Sequence, residues 1–219
     1  FGRFAMYFKD RAQAAAQLAA ALKPWSGKNP LVLAIPRGGV PMGRIIAEAL
    51  GGELDVVLVR KIGAPGNPEF AIGAVDESGW SYLADYAPLA GGSEAYIAAE
   101  TRAQQAVMAR RRAQYTPVRP PIDPAGRIVI VVDDGLATGA TMMAALHAIR
   151  ARRPQHLVCA VPVASTEAAD KVQAYCDELV CLDQPPEFQA VGQFYAHFPQ
   201  VEDEEVVATL AIPRSPPTP

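Results

Sequence analysis

The stretch Ile128–Thr141, IVIVVDDGLATGAT, decides how this chain is read. Its first five residues are all β-branched with no polar break, the mark of a strand buried on both faces. Such a strand delivers Asp133 and Asp134 to the carboxyl edge of a sheet, where open α/β folds bind their ligands. A loop of small residues follows, Ala137-Thr138-Gly139-Ala140-Thr141, and opens a helix. Backbone N–H groups at a helix start, aided by the helix dipole, suit a phosphate. Thr138 and Thr141 add hydroxyl donors, and Gly139 lets the backbone come close to a ligand. No Lys stands before the Thr, so this is not a Walker A loop. The pattern suits a phosphomonoester near two carboxylates, with a sugar between them, its hydroxyls on Asp133 and Asp134 and its phosphate in the loop. A plain strand–turn–helix with an Asp-Gly turn and a Thr-rich cap is the simpler alternative.

Around this centre the same alternation repeats. Lys9 to Lys23 reads as an Ala-rich helix stopped by Pro24, and Leu31 to Ile35 as a buried strand ending at Pro36-Arg37-Gly38-Gly39. Pro41 to Leu50 is helical and capped at Gly51-Gly52, and Leu54 to Val59 is a second strand ended by Arg60-Lys61. A turn-rich loop, Gly63 to Pro68, leads to a hairpin of Phe70 to Val75 and Trp80 to Leu83. Ser93 N-caps a long helix to Tyr115, and Pro117 to Pro124 is a proline-rich connector. Beyond the central helix, about Ala140 to Ala151, come a strand His156 to Val161, a helix after Ser165 and a strand Leu179 to Leu182. The expected fold is α/β: a doubly wound, mainly parallel five-stranded sheet with a hairpin insertion. One domain spans 1–212, with its core at about 30–183, and a disordered tail runs from Pro213 to Pro219.

Composition narrows the class. The 219 residues are 50% hydrophobic and 20% charged, ordinary for a globular enzyme, and no apolar run approaches a membrane span. A net charge of −3 argues against a general nucleic-acid binder. The three cysteines, Cys159, Cys176 and Cys181, have no C-x-x-C spacing and read as reduced thiols. With His147, His156 and His197 they form no metal-ligand pattern, so no protein-caged metal is expected. A cytoplasmic location follows from this usage. Phe1-Gly2-Arg3-Phe4 lacks both an initiating Met and an apolar signal core, so the expectation is a chain whose natural start lies upstream.

The stretch Ile128–Thr141 resembles the signature of the type I phosphoribosyltransferases, which bind 5-phosphoribosyl-1-pyrophosphate (PRPP): an apolar strand, two acidic residues and a T-G-x-T loop. The resemblance implies that Asp133 and Asp134 hold the ribose hydroxyls, and that Gly135, Leu136 and the loop Ala137 to Thr141 surround the 5-phosphate. It also implies a pyrophosphate loop after the first core strand, where Pro36-Arg37-Gly38-Gly39 stands. There the glycines bring N–H groups to an anion and Arg37 grips it, with Pro36–Arg37 the candidate for the family's non-proline cis peptide. A surface turn with a basic residue is the alternative, and Gly38-Gly39-x-x-x-Gly43 has the wrong spacing for a dinucleotide fingerprint.

Arg60 and Lys61 are expected at the pyrophosphate, with Arg60 alternatively reaching into a partner subunit's site, or else as solvated strand-end charges. Ile62 to about Tyr86 stands where the family has a flexible catalytic loop that closes over PRPP. A static hairpin is the other reading. The family's hood would come from the N-terminal segment and about 184–212. In it, Phe188 would stack on an acceptor base with Val191 nearby, although Phe188 reads equally well as core. Ala137 stands where hypoxanthine–guanine enzymes carry an Asp, and is similar to the D-D-x-x-A-T-G of adenine enzymes. A general acid or base must then lie elsewhere, and Glu69 is the candidate. Lys61 to Glu69, KIGAPGNPE, is similar to segments in a bacterial branch of phosphoribosyltransferases.

The resemblance thus implies a transferase of nucleotide-salvage type acting on PRPP and a nucleobase-like acceptor, with Mg²⁺ carried mainly by PRPP, and a homodimer. A PRPP-binding regulator with little catalysis is the main alternative, and a phosphohydrolase a lesser one. A regulator would need a partner surface such as Arg110-Arg111-Arg112, which otherwise reads as a solvated run near a helix C-terminus.

Overall fold

Asp10 begins the first helix. Its carboxylate accepts the N–H of Gln13 at 2.8 Å, capping α1 (Arg11–Ala21). In this computed structural model, residues 7–117 and 120–213 are described; the chain start at Phe1–Phe4, the middle of the proline-rich connector and the tail beyond Pro213 lie outside them. The elements that follow are β1 (Leu31–Ala34), α2 (Gly39–Leu50), β2 (Glu53–Val56), β3 (Val59–Ala64), β4 (Asn67–Asp76), β5 (Ser81–Leu83) and α3 (Glu94–Tyr115). The chain continues through β6 (Ile128–Val132), α4 (Ala140–Ala151), β7 (His156–Val163), α5 (Thr166–Gln173), β8 (Glu178–Asp183) and α6 (Asp203–Ala211).

Five parallel strands form the main sheet, in the order β2-β1-β6-β7-β8. The strands run outward in both directions from β1 and β6, so the crevice between their carboxyl ends is the topological switch point of the sheet. Their alternation splits the core. Val32, Ala34, Ile130, Val132, Val158 and Ala160 face the cluster that holds α1, α2 and α6. Leu31, Leu33, Val129, Val131, Cys159 and Val161 face the cluster built on α4 and α5. Burial on both faces is why these strands read as unbroken apolar runs.

Two expectations are corrected. The second strand ends at Val56, not Val59, because its neighbour β1 stops at Ala34, and the N–H of Val57 makes the last bond, to the Ala34 carbonyl at 3.1 Å. The chain from Val59 pairs antiparallel with β4 instead. The turn-rich loop then shrinks to Pro65-Gly66, with Gly66 at φ 73°, in the left-handed region that glycine tolerates. The expected hairpin is present as β4 and β5, and β3 adds to it, making a three-stranded antiparallel sheet in the order β3-β4-β5. The long helix α3 supports it, as the Tyr96 hydroxyl donates to the Gly63 carbonyl at 2.5 Å.

Arg112 fastens that sheet to the main one. Its Nη1 donates to Asp55 on β2 at 2.7 Å, and its Nη2 to Glu77, just after β4, at 2.6 Å. Asp55 is only 1% exposed, and it also accepts the N–H of Ile122 at 2.9 Å. Arg111 pairs with Asp203 at 3.0 Å. The arginine run is therefore divided: Arg110 is exposed, while its two neighbours hold other parts of the fold. The three cysteines are free thiols, Cys159 buried on β7. Among the described residues no helix is long and apolar enough to cross a membrane, and no group of three or more His, Cys, Asp or Glu could hold a metal.

Candidate active site

Two loops meet at the switch point. The first leaves β6 with Asp133 and Asp134, where the Asp134 backbone N–H donates to the Asp133 side chain, at Oδ1, over 2.8 Å. Burial and the neighbouring charge of Asp134 push the Asp133 carboxyl well above the usual carboxylate range. Burial raises Asp134 too, and the Arg11 guanidinium works against that rise.

Beyond the pair, the loop is pinned to β7 and α5. The Leu136 N–H donates to the Val163 carbonyl at 3.0 Å, and the Ser165 hydroxyl to the Ala137 carbonyl at 2.8 Å. Gly139, at φ 78°, turns the chain into α4, whose first N–H groups have no acceptor within the helix. Ala137 and Thr138 are exposed at this turn, with Ala140 and Thr141 half-buried behind them.

The second loop leaves β1 as Ile35-Pro36-Arg37-Gly38, and its Pro36–Arg37 peptide is cis, the bond named from the sequence. It lies directly against the acidic pair. A Cβ on Gly38 would overlap Asp134 Oδ2, and one on Gly39 would stand 2.7 Å from the Val132 carbonyl oxygen. Arg37 Nη1 lies 3.8 Å from Glu202, which precedes α6. The Gly38-Gly39 backbone thus lies against Asp133 and Asp134, from which the Gly135 to Thr141 loop continues.

The chain ends build the wall above it. The Phe8 N–H donates to the Phe194 carbonyl and the Ala196 N–H to the Phe8 carbonyl, each at 2.8 Å. The Tyr195 hydroxyl donates to the Asp134 carbonyl at 2.7 Å, and its ring stacks on Phe198 at 4.7 Å. Val191 reaches the acidic loop, since a Cβ on Gly135 would stand 2.6 Å from Val191 Cγ1. Phe188 is half-buried with its ring 5.1 Å from Phe194, so it borders the core as well as the wall.

The remaining named residues lie on the second sheet, not at the end of β2. Arg60 on β3 is exposed and donates to Gln104 of α3 at 3.0 Å; Lys61 and Glu69 are exposed on β3 and β4. Sequence reading missed Arg11, whose Nε donates to Asp134 Oδ2 at 3.2 Å, and missed Tyr195, Phe198 and Glu202. The sequence offers one general hint at Arg11, a cation at a helix N-terminus that opposes the dipole, but it does not name the partner.

The family model for a phosphoribosyl transferase domain matches residues 7–198, which include both loops and the wall. The chain belongs to the phosphoribosyl transferase family. It is 42% identical over 204 residues to the Mycobacterium tuberculosis protein named "Putative phosphoribosyl transferase Rv0571c", and equally to its counterpart MT0597 in a second strain. Those alignments cover 93% of this chain, which spans about half the length of the curated relatives it matches, 46%. The solved structure of TT1426 from Thermus thermophilus is 49% identical with a TM-score of 0.84, covering 94% of this chain and 98% of that one. A phosphoribosyl transferase domain therefore accounts for the parallel sheet and for the crevice at its switch point.

Proposed function

We propose that this protein is a phosphoribosyltransferase that moves the 5-phosphoribosyl group of PRPP to a nucleobase-like nitrogen acceptor and releases pyrophosphate. The observation that carries the reading is the apposition of the two loops: paired carboxylates flanked by a phosphate-type helix start on one side and the Arg37-Gly38-Gly39 loop on the other. A sugar bearing a phosphate at one end and a pyrophosphate at the other has those three needs in that order.

In this reading the N–H groups at the start of α4 and the Thr138 and Thr141 hydroxyls hold the 5-phosphate. Asp133 and Asp134 accept from the ribose hydroxyls and favour positive charge developing on the ring. The C1–O bond breaks with its electron pair leaving on pyrophosphate, steadied by Arg37 and the loop N–H groups. The acceptor nitrogen forms the new bond to C1 from the opposite face and gives up its proton, for which Glu69 is the proposed base. Val191 and Phe188 border the acceptor, and Arg60 and Lys61 face PRPP only if the second sheet approaches the crevice. Holding both reactants in line supplies most of the acceleration.

Among the described residues no third His, Cys, Asp or Glu joins the two carboxylates, which suits Mg²⁺ that would arrive on PRPP oxygens and water with few or no direct ligands from the chain. When bound, the ion neutralises pyrophosphate charge. Dimerisation belongs to the same proposal.

Calorimetric titration of Mg²⁺-PRPP, repeated with a panel of purine and pyrimidine bases, tests it. PRPP binding that one base strengthens is expected, and the double substitution Asp133→Asn, Asp134→Asn abolishes it. No binding at millimolar PRPP sinks the reading.

A further inference from the structure

We infer that Arg11 is a positioning residue for the acidic pair, fixing the Asp134 carboxylate for the ribose and tying it to the acceptor-side wall. The inference rests on the reading of Asp134 as a ribose ligand. Five contacts hold the group together, and four of them, all but the one to Pro199, form a closed circuit. Arg11 Nε donates to Asp134 Oδ2 at 3.2 Å, and Arg11 Nη1 to the Pro199 carbonyl at 2.6 Å. The guanidinium lies 4.0 Å above the Phe198 ring, which stacks on Tyr195 at 4.7 Å. Tyr195 closes the circuit by donating to the Asp134 carbonyl at 2.7 Å. Both ends of Asp134, side chain and backbone, are held by one group of hood residues.

The chemistry of the group explains why it is an arginine. A planar fork can donate in two directions while its face rests on an aromatic ring, which an ammonium cannot do. Its side chain is 12% exposed and that of Asp134 15%, so water screens the pair little. Two carboxylates side by side repel, and Arg11 supplies the opposite charge against them. Gly38 packs against the same carboxylate oxygen beside Arg11, where a Cβ would overlap Asp134 Oδ2 and stand 3.4 Å from Arg11 Nε, so the pair has little room to move toward that loop. Because Phe198 and Pro199 belong to the wall that the acceptor would meet, any movement of that wall is felt at the ribose ligand.

The test is calorimetric titration of Mg²⁺-PRPP into wild type, R11M, R11K and F198L, each checked by circular dichroism and melting temperature. R11M is expected to weaken PRPP at least tenfold at unchanged binding stoichiometry, and R11K to recover part of that loss. F198L keeps the ion pair but frees its fork, and is expected to reduce the strengthening of PRPP binding by an acceptor base. A merely structural role would lower stoichiometry or melting temperature and leave the Kd of folded molecules where it was, which overturns the inference. If R11M does not fold, R11K and F198L decide, and wild-type behaviour in both overturns it. Failure of wild type to bind PRPP sinks the proposed function as well; wild-type binding with an unaffected R11M sinks this inference alone.

Discussion

Gly38→Ala sets two effects of opposite sign against each other. Gly38 sits at φ −61° and ψ −30°, a conformation open to any residue. By itself the change would stabilise the protein by about 0.4–1 kcal/mol, because alanine has fewer unfolded conformations to lose. The new methyl, however, would overlap Asp134 Oδ2, with Asp134 Cγ at 3.1 Å and Arg11 Nε at 3.4 Å. Asp134 cannot simply turn aside, since that oxygen accepts from Arg11. Overpacking of this kind costs about 1–3 kcal/mol. The net expectation is a loss of roughly 0–2.6 kcal/mol, which for a chain of this length lowers the melting temperature by up to about 10 °C. Displacing a charged acceptor from the ribose hydroxyl it is proposed to hold would remove about 1.5–3 kcal/mol, or about 10- to 150-fold in PRPP affinity. Urea denaturation and calorimetry read both quantities. In an Asp134→Ala background the clash is gone, so Gly38→Ala should there become stabilising by about 0.4–1 kcal/mol. A G38A protein more stable than wild type, with unchanged PRPP affinity, would refute the packing of this loop against Asp134.

Two further perturbations act on stability. Arg112→Met leaves Asp55 on the N–H groups of Val56 and Ile122 without its guanidinium, and should cost about 3 kcal/mol, the low end for a broken buried pair; Asp55→Asn in the same chain should return part of it in a urea-melt cycle. Asp133→Asn should raise the melting temperature at neutral pH by a few degrees, about 1 kcal/mol, while removing PRPP binding. The sign follows from the raised Asp133 carboxyl: the native state holds its proton more tightly than the unfolded chain. Wild-type stability therefore falls as pH rises above the unfolded value near 4, and the gap between the D133N and wild-type proteins, nil below it, widens with pH.

The centre of the candidate site was legible because it is contiguous. Strand, carboxylates and helix-opening loop follow one another from Ile128 to Thr141, and a buried parallel strand announces itself by composition. Pro36 to Gly39 was legible through its place after the first strand. Arg11 was not, because its partner is 123 positions away and no spacing rule spans that distance. Tyr195 and Phe198 stayed hidden for the same reason. The arginine run misled because Arg110, Arg111 and Arg112 look alike in sequence, whereas helical geometry turns them toward solvent, α6 and β2 in turn. The second strand was drawn too long because Leu54 to Val59 is uniformly apolar apart from Asp55, and only the length of β1 sets where pairing ends.

The two ion pairs at the crevice differ in a way that assigns them different fates when an anion binds. Arg37 and Glu202 lie 3.8 Å apart with side chains 34% and 62% exposed, a pair worth about 0–1 kcal/mol and screened by salt. On the proposed assignment, pyrophosphate, carrying several charges and able to take both arms of the guanidinium, would outcompete a single exposed carboxylate for Arg37. Arg11 and Asp134 are shielded, joined at 3.2 Å, and stacked on Phe198, so a ribose hydroxyl adds to that carboxylate without displacing its partner. Rising salt should therefore weaken PRPP mainly through the pyrophosphate end, while contacts at the ribose keep their strength. It follows that the salt dependence of PRPP affinity should shrink in Arg37→Gln and persist in Arg11→Met, a difference that separates the residue proposed to grip the leaving group from the residue proposed to hold Asp134 in place.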